Sequence, residues 1–219
     1  MVIVVAILAT AAWVATRSPL LDVDHLTVRG NTRETPDEVF AAAGLHTGDP
    51  MVWIDPQDAA ARIEALPWVR RATVTREWPD TVRITLSERL PVAWADAGAG
   101  SALVLDAKGR VLAIEPAPPV GVPQLLHVSG AVPVGATITP VTAARVAGVM
   151  DTFDPTLATS IELTGSNVTL RTPAGTEIRL GRSTDVAAKI RAAIAVLATP
   201  QASGAQYLDV SAPSNPVAG

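Results

Sequence analysis

A catalytic chain needs a nucleophile, a base and a stabilising donor, or a metal with at least three ligands. The residues here that could supply these do not fall into such sets. His25, His46 and His127 stand alone, with no His-Glu-x-x-His or other paired spacing, and each reads as a surface or half-buried polar residue. There is no cysteine, which removes thiolate nucleophiles, disulfides and cysteine-ligated zinc. Serine occurs in no Gly-x-Ser-x-Gly or Ser-x-x-Lys setting. Gly98-Ala99-Gly100-Ser101 lacks the following Lys and the strand-to-helix context of a phosphate loop. Glu34, Asp37 and Glu38 gather where a helix begins, and Asp55 and Asp58 do so again, so helix-start electrostatics accounts for both groups. Nothing nominates a pair of acids for glycosidic cleavage. No catalytic, cofactor-binding or metal-binding residue is assigned, and the reading turns to surfaces.

Two stretches present residues suited to docking. Arg70, Arg71, Arg76 and Arg83 surround Trp78 in a segment of alternating pattern. They form either a solvated strand face with Arg stacked on Trp or a contact surface, since Trp and Arg are enriched at interface hot spots. Arg76, Trp78 and Arg83 are the candidates. The second stretch is the closing run Ala205 to Ala212, expected to be a strand at a sheet edge. There its unpaired N–H and C=O groups could accept a partner strand, with Pro213 and Pro216 blocking further pairing. The bland alternative is that it merely completes the sheet.

The elements that would hold these surfaces are legible in the punctuation. Residues 22–28 alternate as a strand ending at Gly30-Asn31. Thr35-Pro36-Asp37-Glu38 combines an N-cap, a proline at the first helical position and a capping-box acid, and the helix stops at Gly44. A second helix starts at Asp55-Pro56, with Ala59, Ile63 and Leu66 on one face and Pro67 at its end. Val69 to Arg76 and Val82 to Glu88 are strands joined by Trp78-Pro79-Asp80; in the second, Val82, Ile84 and Leu86 share one face. The order is strand, helix, helix, strand, strand, an α+β module with two helices on one face of a three-stranded sheet.

The second half is strand-rich, with frequent Gly and Pro. Leu103 to Asp106 and Arg110 to Glu115 flank a hairpin turn, and Pro116 to Pro123 is a loop. Thr139-Pro140 opens a helix running through Val146, Val149, Met150 and Phe153. Strands follow at Ser160 to Leu163, Val168 to Thr172 and Thr176 to Leu180, the last two joined at Pro173-Ala174-Gly175. Ser183 then caps a helix with Val186, Ile190, Ile194 and Leu197 in helical spacing.

At 219 residues with 48% apolar and 17% charged residues, the chain is too hydrophobic for disorder, and a net charge of −4 leaves no electrostatic footprint for nucleic acid. The apolar excess is concentrated in residues 1–16, which carry no charge before Arg17. As a helix that run reaches roughly 24 Å against a hydrocarbon core of about 30 Å. It reads as a transmembrane anchor with Arg17 at one interface and Trp13 near the headgroups. A signal-peptide core, with Ala9-Thr10-Ala11 as cleavage site, or a buried helix are the alternatives. No basic stretch precedes the run, so a trimmed start is expected.

Leu66 to Ala93, LPWVRRATVTREWPDTVRITLSERLPVA, carries a Pro-Trp-Val start, an Arg-x-Trp-Pro-x-Thr core and a Glu-Arg-x-Pro-Val-Ala close. With Val28-Arg29-Gly30-Asn31, Leu105-Asp106, Gly109-Arg110-Val111 and Leu208-Asp209-Val210-Ser211-Ala212-Pro213 in order, the sequence resembles the bacterial cell-division family FtsQ, also called DivIB, of actinobacterial type. The resemblance implies a transmembrane helix and short linker over 1–19, a POTRA domain over 20–91, a β-domain with two helices over 92–213 and a tail over 214–219. It further implies a non-enzymatic, single-pass plasma-membrane scaffold of the divisome at the midcell septum, N-terminus cytoplasmic and bulk outside. Its partners would be FtsB (DivIC) and FtsL, and it would help control the septal synthases FtsW and FtsI. On this resemblance the partner-binding edge falls on Gln206, Tyr207, Leu208, Asp209, Val210 and Ser211. Some relatives continue this strand, whereas Pro213 cuts it short here. A POTRA protein of outer-membrane transport or assembly is the alternative, though it calls for further POTRA repeats or a barrel. A secreted cell-wall enzyme is a more distant one.

Overall fold

In a computed structural model of the chain, residues 3–5, 21–129, 132–139, 141–202 and 204–219 are described. Apart from Ile3, Val4 and Val5, the apolar run expected to form an anchor lies outside them, as does Pro140. Among the described residues no helix is long and apolar enough to cross a membrane. The chain divides into two compact units, Met1–Arg89 and Leu90–Gly219.

The first unit runs β1 (His25–Arg29), α1 (Pro36–Ala43), a 3-10 turn at Met51–Trp53, α2 (Pro56–Glu64), β2 (Val69–Glu77) and β3 (Thr81–Glu88). Its sheet has the order β1-β3-β2, with β1 parallel and β2 antiparallel to β3. The helix starts follow their sequence devices. Thr35 accepts the Glu38 N–H while the Glu38 carboxylate accepts the Thr35 N–H at 2.8 Å, a reciprocal capping box. Gly44 ends α1 in the left-handed region at φ 65°, and Asp55 caps α2 by accepting from Gln57 and Asp58. Val82, Ile84 and Leu86 alternate inward from β3 onto Val39 and Ala43 of α1, Ala59 and Ile63 of α2, and Met51 of the 3-10 turn.

The second unit is one nine-stranded sheet: β4 (Ala93–Gly98), β5 (Ser101–Leu105), β6 (Val111–Glu115), β7 (Gln124–Ser129), β8 (Ser160–Thr164), β9 (Asn167–Arg171), β10 (Glu177–Arg182), β11 (Tyr207–Asp209) and β12 (Val217–Ala218). The strand order is β12-β11-β10-β9-β8-β7-β4-β5-β6. Hairpins give antiparallel neighbours; β4 and β7 are parallel with the β5–β6 hairpin between them in the chain, and the parallel pairs β7/β8 and β10/β11 need crossovers. Those crossovers are the two helices, α3 (Val141–Phe153) between β7 and β8 and α4 (Val186–Leu197) between β10 and β11. They pack against each other and bury Val146, Met150, Ile190 and Ala193 with Leu125, Ile161, Leu170, Ile178 and Leu208.

Three strands, β4, β7 and β12, go beyond the sequence reading. The start of α4 also differs. Asp185, not Ser183, is its N-cap, held at φ 54° with no side-chain hydrogen bond to the helix. Lys189, on the buried side of α4, donates from Nζ to the Arg182 carbonyl at 2.7 Å, which satisfies the cation inside the fold.

Candidate functional site

The closing strand is narrower and more enclosed than its sequence predicts. Only Tyr207, Leu208 and Asp209 form β11, paired parallel to Glu177, Ile178 and Arg179 of β10. Glu177 N–H donates to the Gln206 carbonyl and Val210 N–H to the Arg179 carbonyl, both at 3.0 Å. Leu208 and Val210 are fully buried, Tyr207 and Asp209 are half-buried, and Gln206 and Ser211 are exposed. The inward pair therefore holds the strand to its own core. On the opposite face the Arg179 guanidinium lies 4.5 Å from the Tyr207 ring centroid and pairs with Glu177 at 2.7 Å. The Asp209 carboxyl is held below the usual carboxylate range, chiefly by the hydroxyl and backbone N–H of Ser211, the N–H standing at 2.9 Å.

The expectation of an open edge is corrected by the tail. Residues 213–216 turn the chain back, with Asn215 N–H on the Ala212 carbonyl at 3.0 Å, and β12 pairs antiparallel to β11, Leu208 opposite Ala218 and Asp209 opposite Val217. The Gly219 carbonyl accepts from Gln206 and Tyr207 at 2.8 and 3.0 Å, and the Gly219 N–H returns a bond to the Tyr207 carbonyl at 3.1 Å. Pro213 and Pro216 cannot donate to a ladder, but both precede β12, where a turn needs no N–H from them. The prolines shape a return instead of ending the pairing.

In the first unit the hairpin between β2 and β3 carries Arg76, Trp78 and Arg83. Trp78 is 53% exposed and Trp53, in the 3-10 turn, 73%. Arg76 joins them: its guanidinium lies 5.8 Å from the Trp78 centroid, and its Nη1 donates to the Met51 and Val52 carbonyls at 3.3 and 3.4 Å. Arg83 is spent elsewhere, paired with Glu77 at 2.6 Å. Structure thus groups Arg76 with Trp78 and adds Trp53, which sequence reading missed because 25 positions separate it from Trp78.

Two of the histidines share a groove and the third lies in the other unit. His25 and His46 line a groove between β1 and α1, where His46 faces Asp49 at 3.7 Å, and His127 contacts Glu162 at 3.1 Å in the second unit. Among the described residues no group of three or more His, Asp or Glu is placed to hold a metal ion.

Two residues of the sequence motifs prove architectural. Gly30 sits at φ 83°, and a Cβ there would land on the Leu86 carbonyl oxygen. Glu88 accepts backbone N–H bonds from Thr32, Arg33 and Glu34 at 2.7, 2.9 and 3.0 Å, closing β3 onto the loop before α1. The motifs are read from the sequence; their partnership across the sheet is not.

A family model described as "POTRA domain, FtsQ-type" matches residues 21–89, and one described as "Cell division protein FtsQ/DivIB, C-terminal" matches residues 92–211. Among curated relatives, the cell division protein FtsQ of Corynebacterium glutamicum is 37% identical over 59% of this chain and 55% of its own length. That of Mycobacteroides abscessus is 33% identical over 91% of this chain and 62% of its own length. That of Streptomyces venezuelae is 31% identical over 97% of this chain and 80% of its own length. The chain thus spans little more than half of the first two relatives. With both domain descriptions matched in order along one chain, and with relatives of a single name aligned over nearly all of it, the chain belongs to the FtsQ/DivIB family of cell division proteins.

Proposed function

We propose that this chain is a non-enzymatic, single-pass scaffold of the bacterial divisome, anchored in the plasma membrane by residues 1–16 with both folded units outside the cytoplasm at the division septum. The observation that carries this reading is the ordered match of both units to the FtsQ/DivIB family. The closing strand, Gln206 to Ser211, is its partner contact, pairing backbone to backbone with a segment of FtsB/DivIC or FtsL, while outward side chains such as Tyr207 and Asp209 set specificity. The tail leaves the strand when the partner arrives: a two-residue ladder and the Gly219 bonds hold it, with Val217 50% exposed and no side chain of the tail buried in the core. Through these partners the scaffold helps control FtsW and FtsI. Such a role needs neither a cofactor nor a titrating residue. The hairpin patch of Arg76 and Trp78, with Arg83 beside it, is the docking surface of the first unit.

A fluorescent fusion of the full chain in a dividing actinobacterium tests the role: bands at midcell are expected, and uniform envelope fluorescence through division rejects it. For the strand, a chain lacking residues 205–219 should lose DivIC binding, and undiminished binding would eliminate it as the contact.

A further inference from the structure

One end of the first unit collects three features that no sequence motif links. The chain enters the domain there: Asp22 bridges to Pro50, Val23 N–H donates to the Asp49 carbonyl at 2.9 Å, and Asp24 N–H donates to the Asp80 carbonyl at 2.8 Å. Pro50 leads directly into the Met51–Trp53 turn, and Asp80 closes the turn that carries Trp78. The entry segment is therefore stitched to both loops that bear the exposed tryptophans, and Arg76 ties those loops together.

Covalent geometry converts this into a distance from the apolar run. Six residues, Arg17 to Asp22, follow Thr16 up to the Pro50 bridge. Fully extended they reach about 20 Å at most. If residues 1–16 lie in a bilayer, the end of the domain carrying Trp53 and Trp78 is confined to that distance from the hydrocarbon boundary. Two large aromatics with a polar ring N–H, left exposed at that depth, match the amphipathic belt found at membrane–water interfaces.

The nearby acids are occupied by local donors. Asp49 accepts the His46 N–H at 2.7 Å, Asp55 caps α2, and Asp80 accepts the Thr81 hydroxyl at 2.7 Å. Among the described residues Arg76 carries positive charge here and Asp22 and Asp24 negative charge, and Arg17 of the sequence lies between them and the apolar run. This mixture favours no attraction to anionic headgroups, so aromatic burial is the driving force.

We propose that Trp53 and Trp78 seat the first unit on the headgroup region of the membrane that anchors the chain, fixing the height and tilt at which that unit is presented to other division proteins. This inference rests on the anchoring proposed above.

The full chain is reconstituted in phosphatidylcholine vesicles with and without brominated acyl chains, alongside Trp53→Phe, Trp78→Phe and the double variant. Flotation after alkaline carbonate washing reports the anchor; Trp fluorescence reports lipid contact. With Trp13, Trp53 and Trp78 facing lipid and Trp68 and Trp94 held in the fold, the double variant should lose about two thirds of the lipid-quenched intensity, with each single variant losing part of it. The loss should be indifferent to salt. Chains that do not float overturn the anchoring and this inference with it. Chains that float with unchanged quenching overturn this inference alone. If the double variant also loses septal recruitment while its quenching stays at the wild-type level, the patch belongs to a protein partner.

Discussion

Glu88 accepts the backbone N–H of Thr32 at 2.7 Å, a contact that reaches 56 positions along the chain to join the end of β3 to the loop before α1. The N–H groups of Arg33 and Glu34 converge on the same oxygen at 2.9 and 3.0 Å, and Arg33 also lies 4.8 Å over the Trp68 ring. Three successive donors on one anion make a nest whose strength depends on charge. Glu88→Gln keeps the shape and removes the charge, so a loss of about 1–2 kcal/mol of local stability is expected. Hydrogen exchange of the Thr32, Arg33 and Glu34 amides reads it directly as acceleration of about tenfold or more. Unchanged exchange would mean that the loop is held by α1 alone.

The same carboxylate gives a pH dependence. Burial pushes the Glu88 carboxyl up, but the N–H groups of Thr32, Glu34 and Arg33, with the Arg33 charge, outweigh it and hold the group below the usual glutamate value. A carboxyl depressed in the fold adds stability above its unfolded pKa, and that stability is lost as pH falls through the folded one. Glu34 works oppositely: burial, then the charges of Glu38 and Glu88, push its carboxyl up. The fold binds that proton more tightly, so its contribution falls as pH rises from the ordinary value through the raised one. Thermal midpoints across the carboxylate range should therefore show a fall on the acid side that is shallower in Glu88→Gln. Glu34→Gln should raise stability at neutral pH relative to acid pH. Parallel profiles for all three proteins would contradict the assignment.

Gly30 and Gly48 separate backbone strain from collision. Both have positive φ, 83° and 90°, yet a Cβ on Gly48 meets nothing within 4 Å whereas one on Gly30 meets the Leu86 carbonyl. Gly48→Ala should cost about 1 kcal/mol, the usual expense of a left-handed alanine. Gly30→Ala should cost about 2–4 kcal/mol, because backbone of β3 must move. Equal losses in chemical denaturation would show that the sheet yields at Leu86.

The first unit was legible because its signals are local. Thr35, Pro36 and Glu38 fall within one turn, and Val82, Ile84 and Leu86 alternate without interruption. β4 is not legible in the sequence because AWADAG has little β propensity, its alanines being buried by neighbouring strands rather than by any preference of their own. In β7 the pattern is broken by His127 at φ 59° and by a register shift against β4. Asp185 replaces Ser183 at the start of α4 because the left-handed residue and buried Lys189 are set by packing. The residues of the closing strand were readable, but its cover was not: β12 is two residues beyond two prolines, and only a tertiary contact makes it a strand.

That cover yields a prediction about affinity. While Gly219 bonds to Gln206 and Tyr207, and Val217 and Ala218 pair with Asp209 and Leu208, the outer groups of β11 are occupied, so under the proposed strand pairing a partner would have to compete for them. Apparent affinity then scales with the fraction of molecules whose tail is released. If the tail is favoured by about 1.4 kcal/mol, removing it strengthens binding about tenfold. Truncation after Ala212 leaves Leu208 and Val210 in the core and the β10 pairing intact, so the strand should persist. Titration of the truncated and full chains with a DivIC segment, by calorimetry, should show the gain chiefly as a faster or tighter association in the truncated form. A milder variant, Val217→Pro, removes the N–H from the ladder without shortening the chain and should give part of the same gain. Weaker binding in both would instead make the tail part of the partner's own contact, with the new strand adding outside β12.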